Sequence, residues 1–201
     1  MKEFENIEDF KVYLDTNNIE SIALQSIDLV GLEQDILNAT FKGCIFLGCN
    51  MTEKIRDHVY HENFIFQSLK VPYKMYPNML YNKDTLYNDY DPDRPETFKQ
   101  TYDSIVYDHY LKTGKEAHDI EETLARRMHD HGITDALQEF IQQYDEKKLV
   151  AIMGGHALSR NADQYTQVAE ISKTLSEKGY LMLSGGGPGA MEATHLGAWF
   201  A

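Results

Sequence analysis

The sequence predicts an α/β fold, with an incomplete parallel Rossmann-like β-α-β-α unit at the C-terminus. An α+β N-terminal region with a Tyr/Pro-rich arm precedes this unit. Two short apolar runs, residues 149–153 and 180–184, have the length and composition of buried strands. Each run is followed by glycines and then by apolar residues at helical spacing. A helix between two such strands favours a parallel pair with a right-handed crossover.

Residues 1–69 form the first predicted domain, an α+β region that contains a pentapeptide-like coil. Ile36, Phe41, Phe46 and Met51 recur every five residues, with small residues between them. This period is typical of pentapeptide β-helices, whose coils stack on one another. Because so few repeats cannot stand alone, we expect one or two coil-like turns that cap another structure.

Residues 70–148 form the second predicted domain, a Tyr/Pro-rich arm followed by a helical connector. Four of the five prolines lie between Pro72 and Pro95, and proline interrupts helices. We therefore expect an extended arm that packs along its own domain or a neighbouring subunit, with a long surface loop as the alternative. In the connector, we expect Gly132 to separate two helices and Thr134 to cap the second.

Residues 149–201 form the third predicted domain, the first half of a nucleotide-binding unit. After the first strand, Asn161 is expected to cap a helix, with Gln164 completing a reciprocal capping box. Gly179 is expected to end that helix. After the second strand and its glycine turn, Pro188 suits the first position of the last helix.

Composition and charge limit the classes of partner. The chain is 42% hydrophobic and 25% charged, with a net charge of −13, so we expect no nucleic-acid partner. It has no apolar run of membrane-spanning length and no secretory signal, so we expect a cytoplasmic protein without a membrane partner. Cys44 and Cys49 are then expected to be free thiols.

The glycine-rich turn after the second strand is the strongest functional signal. Gly185-x-Gly187-x-x-Ala190 fits the G-x-G-x-x-G/A dinucleotide fingerprint, between a predicted strand and a predicted helix. Glycines allow close backbone approach to an anion, and the N–H groups of Gly189, Ala190 and Met191 can donate to a phosphate. A tight corner without a ligand is the alternative.

A second loop, after the first predicted strand, should lie across a crevice from the glycine turn. The carboxyl ends of adjacent parallel strands lie side by side, and ligands bind there in open α/β sheets. Ser159 and Arg160 supply a hydroxyl and a guanidinium suited to phosphate, and His156 lies in the same loop. The alternative for Arg160 is a solvated surface charge, and the alternative for His156 is a hydrogen-bonded loop residue without a ligand.

Glu192 is the only candidate catalytic residue, and a weak one. It could accept a hydrogen bond from a ribose hydroxyl, act near a glycosidic carbon, or complement the helix N-terminus. His195 shares its helical face and is a minor candidate. We predict no metal and no cofactor, because neither His129 with His131 nor His58 with His61 has the further ligands that a metal site needs.

The predicted nucleotide- or phosphate-binding residues all lie on the two loops and the start of the last helix. They are Gly154, Gly155, His156, Ser159, Arg160, Gly185, Gly186, Gly187, Gly189, Ala190, Met191 and Glu192.

Two segments carry the motifs of a known family. They are Val150-Ala-Ile-Met-Gly-Gly-His-Ala and Ser184-Gly-Gly-Gly-Pro-Gly-Ala-Met-Glu-Ala-Thr-His-Leu-Gly-Ala. Both resemble the Lonely Guy (lysine-decarboxylase-like) superfamily of Rossmann-fold nucleotide-binding proteins. The resemblance is specific over 149–198, looser over 70–148 and absent over 1–69. It implies a parallel α/β sheet that binds a nucleoside 5′-monophosphate, in a homodimer or larger assembly, and hydrolysis of its N-glycosidic bond. It also implies that the four glycines of 185–189 contact phosphate, with Met191 and Glu192 beside the nucleotide.

The chain departs from the family in one large respect. The family's second signature, Pro-Gly-Gly-x-Gly-Thr-x-x-Glu, carries the catalytic glutamate and is absent from these residues. We therefore expect the chain to be the N-terminal part of a longer phosphoribohydrolase-like enzyme, or else a short form without that mechanism. A non-catalytic nucleotide-sensing or oligomerisation module is the second hypothesis. A nicotinamide-dependent oxidoreductase is a weaker third, because the acid that reads a ribose is missing.

Overall fold

The computed structural model describes all 201 residues, in a mixed α/β arrangement of two compact units, Met1–Leu137 and Gln138–Ala201. The first two predicted domains thus fall almost wholly in one unit. The elements of the first unit are β1 (Lys2–Phe4), α1 (Ile7–Leu14), β2 (Asn18–Glu20), β3 (Ile22–Gln25), α2 (Glu33–Asn38), β4 (Thr40–Lys42), β5 (Ile45–Leu47), α3 (Glu53–Val59), β6 (Phe64–Phe66), α4 (Lys83–Tyr87), α5 (Tyr102–Thr113) and most of α6 (Ile120–Gln142). The second unit contains β7 (Leu149–Ile152), α7 (Asp163–Glu177), β8 (Leu181–Ser184) and α8 (Ala190–Trp199).

The N-terminal strands stack as a short solenoid. β1, β3, β5 and β6 form a four-stranded parallel sheet in that order, and β2 pairs with β4, also in parallel. Ile19 is in register with Phe41, and Ala23 with Ile45, so the two central coils are offset by 22 residues. The steps from β1 to β3 and from β5 to β6 are shorter, at 20 and 19 residues. Helices α1, α2 and α3 connect the coils. Strands and helices therefore alternate along the chain, which is an α/β arrangement and corrects the predicted α+β N-terminal region.

The buried side chains of one coil sit over their equivalents in the next. Ile19 and Leu24 are fully buried, and their equivalents Phe41 and Phe46 are 8% and 1% exposed. The predicted five-residue spacing is thus a spacing within a coil, from β4 to β5. Of its other two members, Ile36 belongs to helix α2 and Met51 lies between β5 and α3, so the five-residue spacing describes one part of a coil and not a whole coil.

The corners of the coils repeat as well. Ser21 and Gly43 both have positive φ values, of 55° and 63°, and Ser26 and Gly48 have 54° and 59°. Ser21 and Gly43, like Ser26 and Gly48, are small residues 22 positions apart that follow apolar ones. This spacing was the sequence signal that could have shown the repeat.

The Tyr/Pro-rich segment packs along the solenoid of its own unit, as one of the two expectations held. Met75, Tyr76 and Pro77 are almost fully buried. The Ser26 hydroxyl donates to the Tyr76 carbonyl, and the Gln25 amide donates to the Pro77 carbonyl over 2.8 Å. These bonds satisfy the backbone of an extended segment that has no strand partner.

Helix α6 continues through Gly132, which corrects the predicted break. The Thr134 hydroxyl donates to the Asp130 carbonyl 2.7 Å away and does not cap a helix. Gly132 is buried against the Tyr/Pro-rich segment, and a Cβ there would lie 2.5 Å from the Pro77 carbonyl oxygen. The glycine therefore serves close packing rather than termination.

The second unit has the predicted β-α-β-α order with a parallel pair, β7 and β8, in register from Leu149 with Leu181 to Ile152 with Ser184. β7 is only half-buried, contrary to the expected buried strand. Helix α7 begins at Asp163 without a side-chain cap, so Asn161 does not cap it. Helix α8 begins at Ala190, and Pro188 therefore precedes the helix rather than opening it. Gly179 follows α7 at φ 76°, as expected.

None of the helices has the length and apolar character that crossing a lipid bilayer requires.

Candidate functional site

The two predicted loops follow β7 and β8, whose carboxyl ends are adjacent because the strands are parallel and in register. The first loop runs from Met153 to Ala162, and the second from Gly185 to Gly189. Both lie within the second unit. The site is therefore the crevice expected at the carboxyl edge of a parallel pair.

The loops touch through their glycines. A Cβ at Gly189 would lie 2.0 Å from the Gly155 carbonyl oxygen, and a Cβ at Gly155 would lie 2.7 Å from the Ala190 Cβ. Both residues also have positive φ values, of 74° and 71°. No other residue type fits this contact without moving one loop, so these glycines set the distance between the loops.

The start of helix α8 offers hydrogen-bond donors to the crevice. Its first backbone bond runs from the Ala193 N–H to the Gly189 carbonyl over 2.9 Å. The N–H groups of Ala190, Met191 and Glu192 precede it and so have no partner within the helix. No side chain caps Gly189 either. Such donors, with the helix dipole, favour an anion.

Met191 packs beneath the glycine turn. It is 4% exposed. A Cβ at Gly187 would lie 2.3 Å from the Met191 Cε, and one at Gly185 would lie 3.2 Å from its Sδ. Met191 thus supports the turn from inside rather than presenting its side chain to a ligand.

Arg160 and Glu192 form an ion pair that links the first loop to the first turn of helix α8. Arg160 Nη2 lies 2.7 Å from Glu192 Oε1, and the side chains are 76% and 32% exposed. The hydrogen bond and charge of Glu192 raise the pKa of Arg160. Because a solvated pair contributes little to stability, the guanidinium can exchange this carboxylate for another anion.

Tyr165, at the start of α7, is a third member of this group. Its side chain is 6% exposed. Burial raises the pKa of Tyr165, and the neighbouring Glu192 charge adds to that effect. The phenol thus stays a neutral donor at physiological pH.

Ser184 and His195 form a hydrogen-bonded pair at the crevice. His195 was a minor candidate from the sequence, and Ser184 was not predicted. Ser184 Oγ lies 2.7 Å from His195 Nε2, and it also accepts from the Gly186 N–H over 3.1 Å. Ser184 ends β8, and His195 lies on α8. The position of a hydroxyl at the end of a strand before a glycine turn was the available signal. The pair lacks a third group that orients the imidazole, so it fixes the turn rather than forming a triad.

The remaining predicted residues divide between structural and open positions. Ser159 Oγ accepts a hydrogen bond from the Asn161 N–H over 3.3 Å, so this bond stabilises the first loop itself. His156 lies against the glycine turn, with Nε2 3.2 Å from a Cβ placed on Gly187. Gly154 and Gly186 face open space at positive φ. The structure thus brings the predicted residues together, except that Met191 points into the core.

The histidine pairs have other partners. His131 Nε2 lies 3.2 Å from Asp135, His129 Nδ1 lies 3.1 Å from Asp130, and His58 Nε2 lies 2.7 Å from the Ala39 carbonyl. No three His, Cys, Asp or Glu side chains are grouped as a metal site would require.

Comparison with known proteins adds no assignment. No family model matches the chain, and neither the curated proteins nor the solved structures include a significant match.

Proposed function

We propose that the second unit binds a nucleoside 5′-monophosphate in the crevice between its two glycine loops. The observation that carries this is the meeting of the loops at the carboxyl edge of β7 and β8. There the unpaired N–H groups at the start of α8 and the exposed Arg160 are close together. Backbone donors, a helix N-terminus and a guanidinium are together a phosphate-binding set.

The 5′-phosphate would lie over Gly186, which faces open space, and against the first N–H groups of α8. Arg160 would leave Glu192 and pair with the phosphate, because the exchange replaces one charge-assisted bond by another of similar strength. Binding would therefore release the Glu192 carboxylate. The freed carboxylate can accept hydrogen bonds from the ribose hydroxyls.

The resemblance to the Lonely Guy superfamily supports a Rossmann-like unit and hydrolysis of an N-glycosidic bond by a longer form of the protein. In such a reaction, a carboxylate beside the anomeric carbon stabilises the positive charge that develops as the base leaves. An anchored phosphate holds the sugar in place for attack by water. The chain supplies the anchor, and Glu192 is the one carboxylate at the crevice.

A second candidate function is nucleotide sensing without turnover. It is favoured because the crevice offers Glu192 as its single candidate catalytic carboxylate. Glu192 both pairs with Arg160 and complements the start of α8, so it has two non-catalytic roles. A single carboxylate with such roles is better suited to recognising ribose than to catalysis.

Calorimetric titration with adenosine and guanosine 5′-monophosphates tests the binding. We expect Arg160→Ala to weaken binding about tenfold, which is the typical effect of one charge-assisted contact. Lys173→Ala, which removes one positive charge near the C-terminal end of α7, where Lys173 pairs with Glu177, is the matched control and should leave binding unchanged. Equal effects of the two variants, or no binding by the unaltered chain, would contradict the proposal.

Glu192→Gln separates phosphate binding from ribose binding. We expect this variant to bind inorganic phosphate at least as tightly as the unaltered chain, since Arg160 loses its competing partner. Its preference for a nucleotide over inorganic phosphate should fall, because the ribose acceptor is lost. Release of free base in the same samples distinguishes hydrolysis from sensing.

A further inference from the structure

The first unit contains a second cavity that the nucleotide proposal does not use. Its volume is about 520 Å³, within the range of small-molecule sites. Five tyrosines line it, and we call it the tyrosine cavity: Tyr73, Tyr81, Tyr102, Tyr107 and Tyr110. All of its lining residues belong to residues 73–130 of the first unit.

Hydrogen bonds and ring contacts hold one wall of the cavity in place. The Tyr81 and Tyr102 hydroxyls are 2.9 Å apart, and the Lys74 N–H donates to the Tyr102 hydroxyl over 2.9 Å. The His129 ring stacks on Tyr81 at 5.9 Å and meets the Tyr73 ring edge-on at 5.5 Å. This wall is therefore formed before any ligand arrives, as binding sites generally are.

A buried ion pair forms the floor. Glu122 is 5% exposed, and its carboxylate receives bonds of 2.9 Å from His109 and 2.7 Å from Arg126. The rest of the Arg126 guanidinium donates to the Gly114 and Lys115 carbonyls and to the Thr113 hydroxyl. These bonds use four of the five N–H groups of Arg126, and the guanidinium also lies beside the buried Tyr73 hydroxyl. The Glu122–Arg126 pair contributes no net charge to the cavity.

Two carboxylates and one ammonium remain on the lining. Asp103 forms no ion pair, Asp130 contacts only His129, and Lys115 is the single unpaired cation. The remaining charge thus favours a cation over an anion. Burial raises the pKa of Tyr73 to about 12 and also raises that of Tyr81, so both phenols stay neutral at physiological pH.

The Tyr73 hydroxyl is buried beside this ion pair. Glu122 and Arg126 are its neighbours, and both act on the pKa of the phenol.

From this arrangement we propose that the tyrosine cavity binds an organic cation, a protonated or quaternary amine. Tyrosine faces attract a cation through the ring quadrupole, and clusters of them recognise alkylammonium groups. The rings of Tyr107 and Tyr110 stack at 6.3 Å and are 58% and 42% exposed, so they form an accessible rim. Asp103 supplies the countercharge. This site is independent of the proposed nucleotide site and does not depend on it.

A pair of probes that differ only in charge tests the proposal. Choline and 3,3-dimethyl-1-butanol have the same shape, with nitrogen replaced by carbon in the second. We expect choline to bind at least fivefold more tightly by NMR titration, and its methyl resonance to move upfield because the groups lie over ring faces. Equal binding of the two probes, or no binding of either at tens of millimolar, would overturn the proposal.

Matched variants locate the site. Tyr107→Leu and Asp103→Asn should each weaken choline binding about threefold or more, whereas Tyr60→Leu and Asp108→Asn should not. Tyr60 and Asp108 are exposed residues of the same unit outside the cavity, and Asp108 lies on the same helix as Asp103. If the controls weaken binding as much as the cavity variants, choline binds elsewhere. Unchanged nucleotide binding by Tyr107→Leu confirms that the two sites are separate.

Discussion

Gly185 and Gly189 lie four residues apart in one turn, yet they are under different constraints. Gly189 has φ 74° and approaches the Gly155 carbonyl too closely for any Cβ. Gly185 has no positive φ, and a Cβ there would meet only the sulfur atoms of two flexible side chains, Met191 and Met153. The sequence presents both as equivalent members of a glycine run, and only the three-dimensional structure separates them.

Replacement of Gly189 by alanine should therefore be much more damaging than replacement of Gly185. For Gly189→Ala we expect a loss of about 2 kcal/mol or more in the free energy of unfolding, from strain and the clash with Gly155. For Gly185→Ala we expect a change within about 1 kcal/mol of zero, because a compatible alanine also restricts the unfolded chain. Thermal unfolding measures both, and equal losses would show that the loops do not meet.

Glu122 couples the stability of the first unit to acid. Burial alone would raise the pKa of this carboxyl, but the hydrogen bonds from His109 and Arg126 outweigh that effect and lower it. A group whose pKa is lower in the folded state stabilises the fold above its unfolded pKa, near 4.3. That contribution is lost as the pH falls further, through the folded pKa.

We therefore expect the contribution of Glu122 to the free energy of unfolding to be complete at neutral pH and to be lost as the pH falls below the unfolded pKa. Glu122→Gln should unfold more readily at pH 7, because His109 and Arg126 lose their charged partner. The difference between the variant and the unaltered chain should shrink below about pH 4. Urea unfolding at several pH values measures this, and a constant difference would exclude the linkage.

Among the elements, those whose residues carry local signals were predictable. Strands β7 and β8 and helix α7 follow from short apolar runs, helical spacing and the glycine at 179. The start of α7 was misplaced because the Asn161 side chain has no role as a cap, and local pattern alone does not reveal which candidate cap is used. The prediction wrongly divided helix α6 at Gly132. This glycine makes room for the backbone of Pro77, a residue 55 positions earlier, and a local pattern does not show such a contact.

Gly132 provides a test in which local preference and packing oppose each other. Helix propensity predicts that Gly132→Ala stabilises α6 by about 1 kcal/mol. The Pro77 carbonyl, 2.5 Å from the new Cβ, predicts the reverse. We expect a net loss of about 1–3 kcal/mol, the usual cost of overpacking. Gly31→Ala, where a Cβ meets open space, is the control and should be nearly neutral.

For the whole molecule, the sequence predicted an α/β protein with a parallel C-terminal pair, and the structure confirms that much. The solenoid was missed because its equivalent residues lie about 20 positions apart, in adjacent coils. A five-residue spacing compares positions within one coil and does not reveal the next. For the candidate site, the motif located both loops. The pairing of Ser184 with His195 and of Arg160 with Glu192 depends on tertiary geometry, and no spacing rule gave it.

Exposed apolar side chains of the second unit predict that the protein self-associates. The second unit exposes Met153, Ile171 and Leu196 at 65%, 54% and 40%, and Ile171 lies in a shallow groove on α7 with Leu175. Exposed apolar side chains that line a groove can mark a protein interface. We expect a homo-oligomer in sedimentation experiments.

Ile171→Asp should lower the sedimenting mass, because a charge in an apolar interface is costly. Val12→Asp, at a position 76% exposed in the first unit, is the control and should not change it. A monomeric unaltered chain would contradict this prediction.

The 22-residue offset between the two central coils also makes this part of the chain extensible. Residues 18–39 span one full coil, from the start of β2 to the residue before β4, and the strands at both ends point the same way. A tandem copy of that segment would present the same corners, the same inward side chains and the same backbone edge to the coil that follows. Growth or shortening by whole coils is therefore open to this lineage, and to a protein engineer, without redesign of either neighbour.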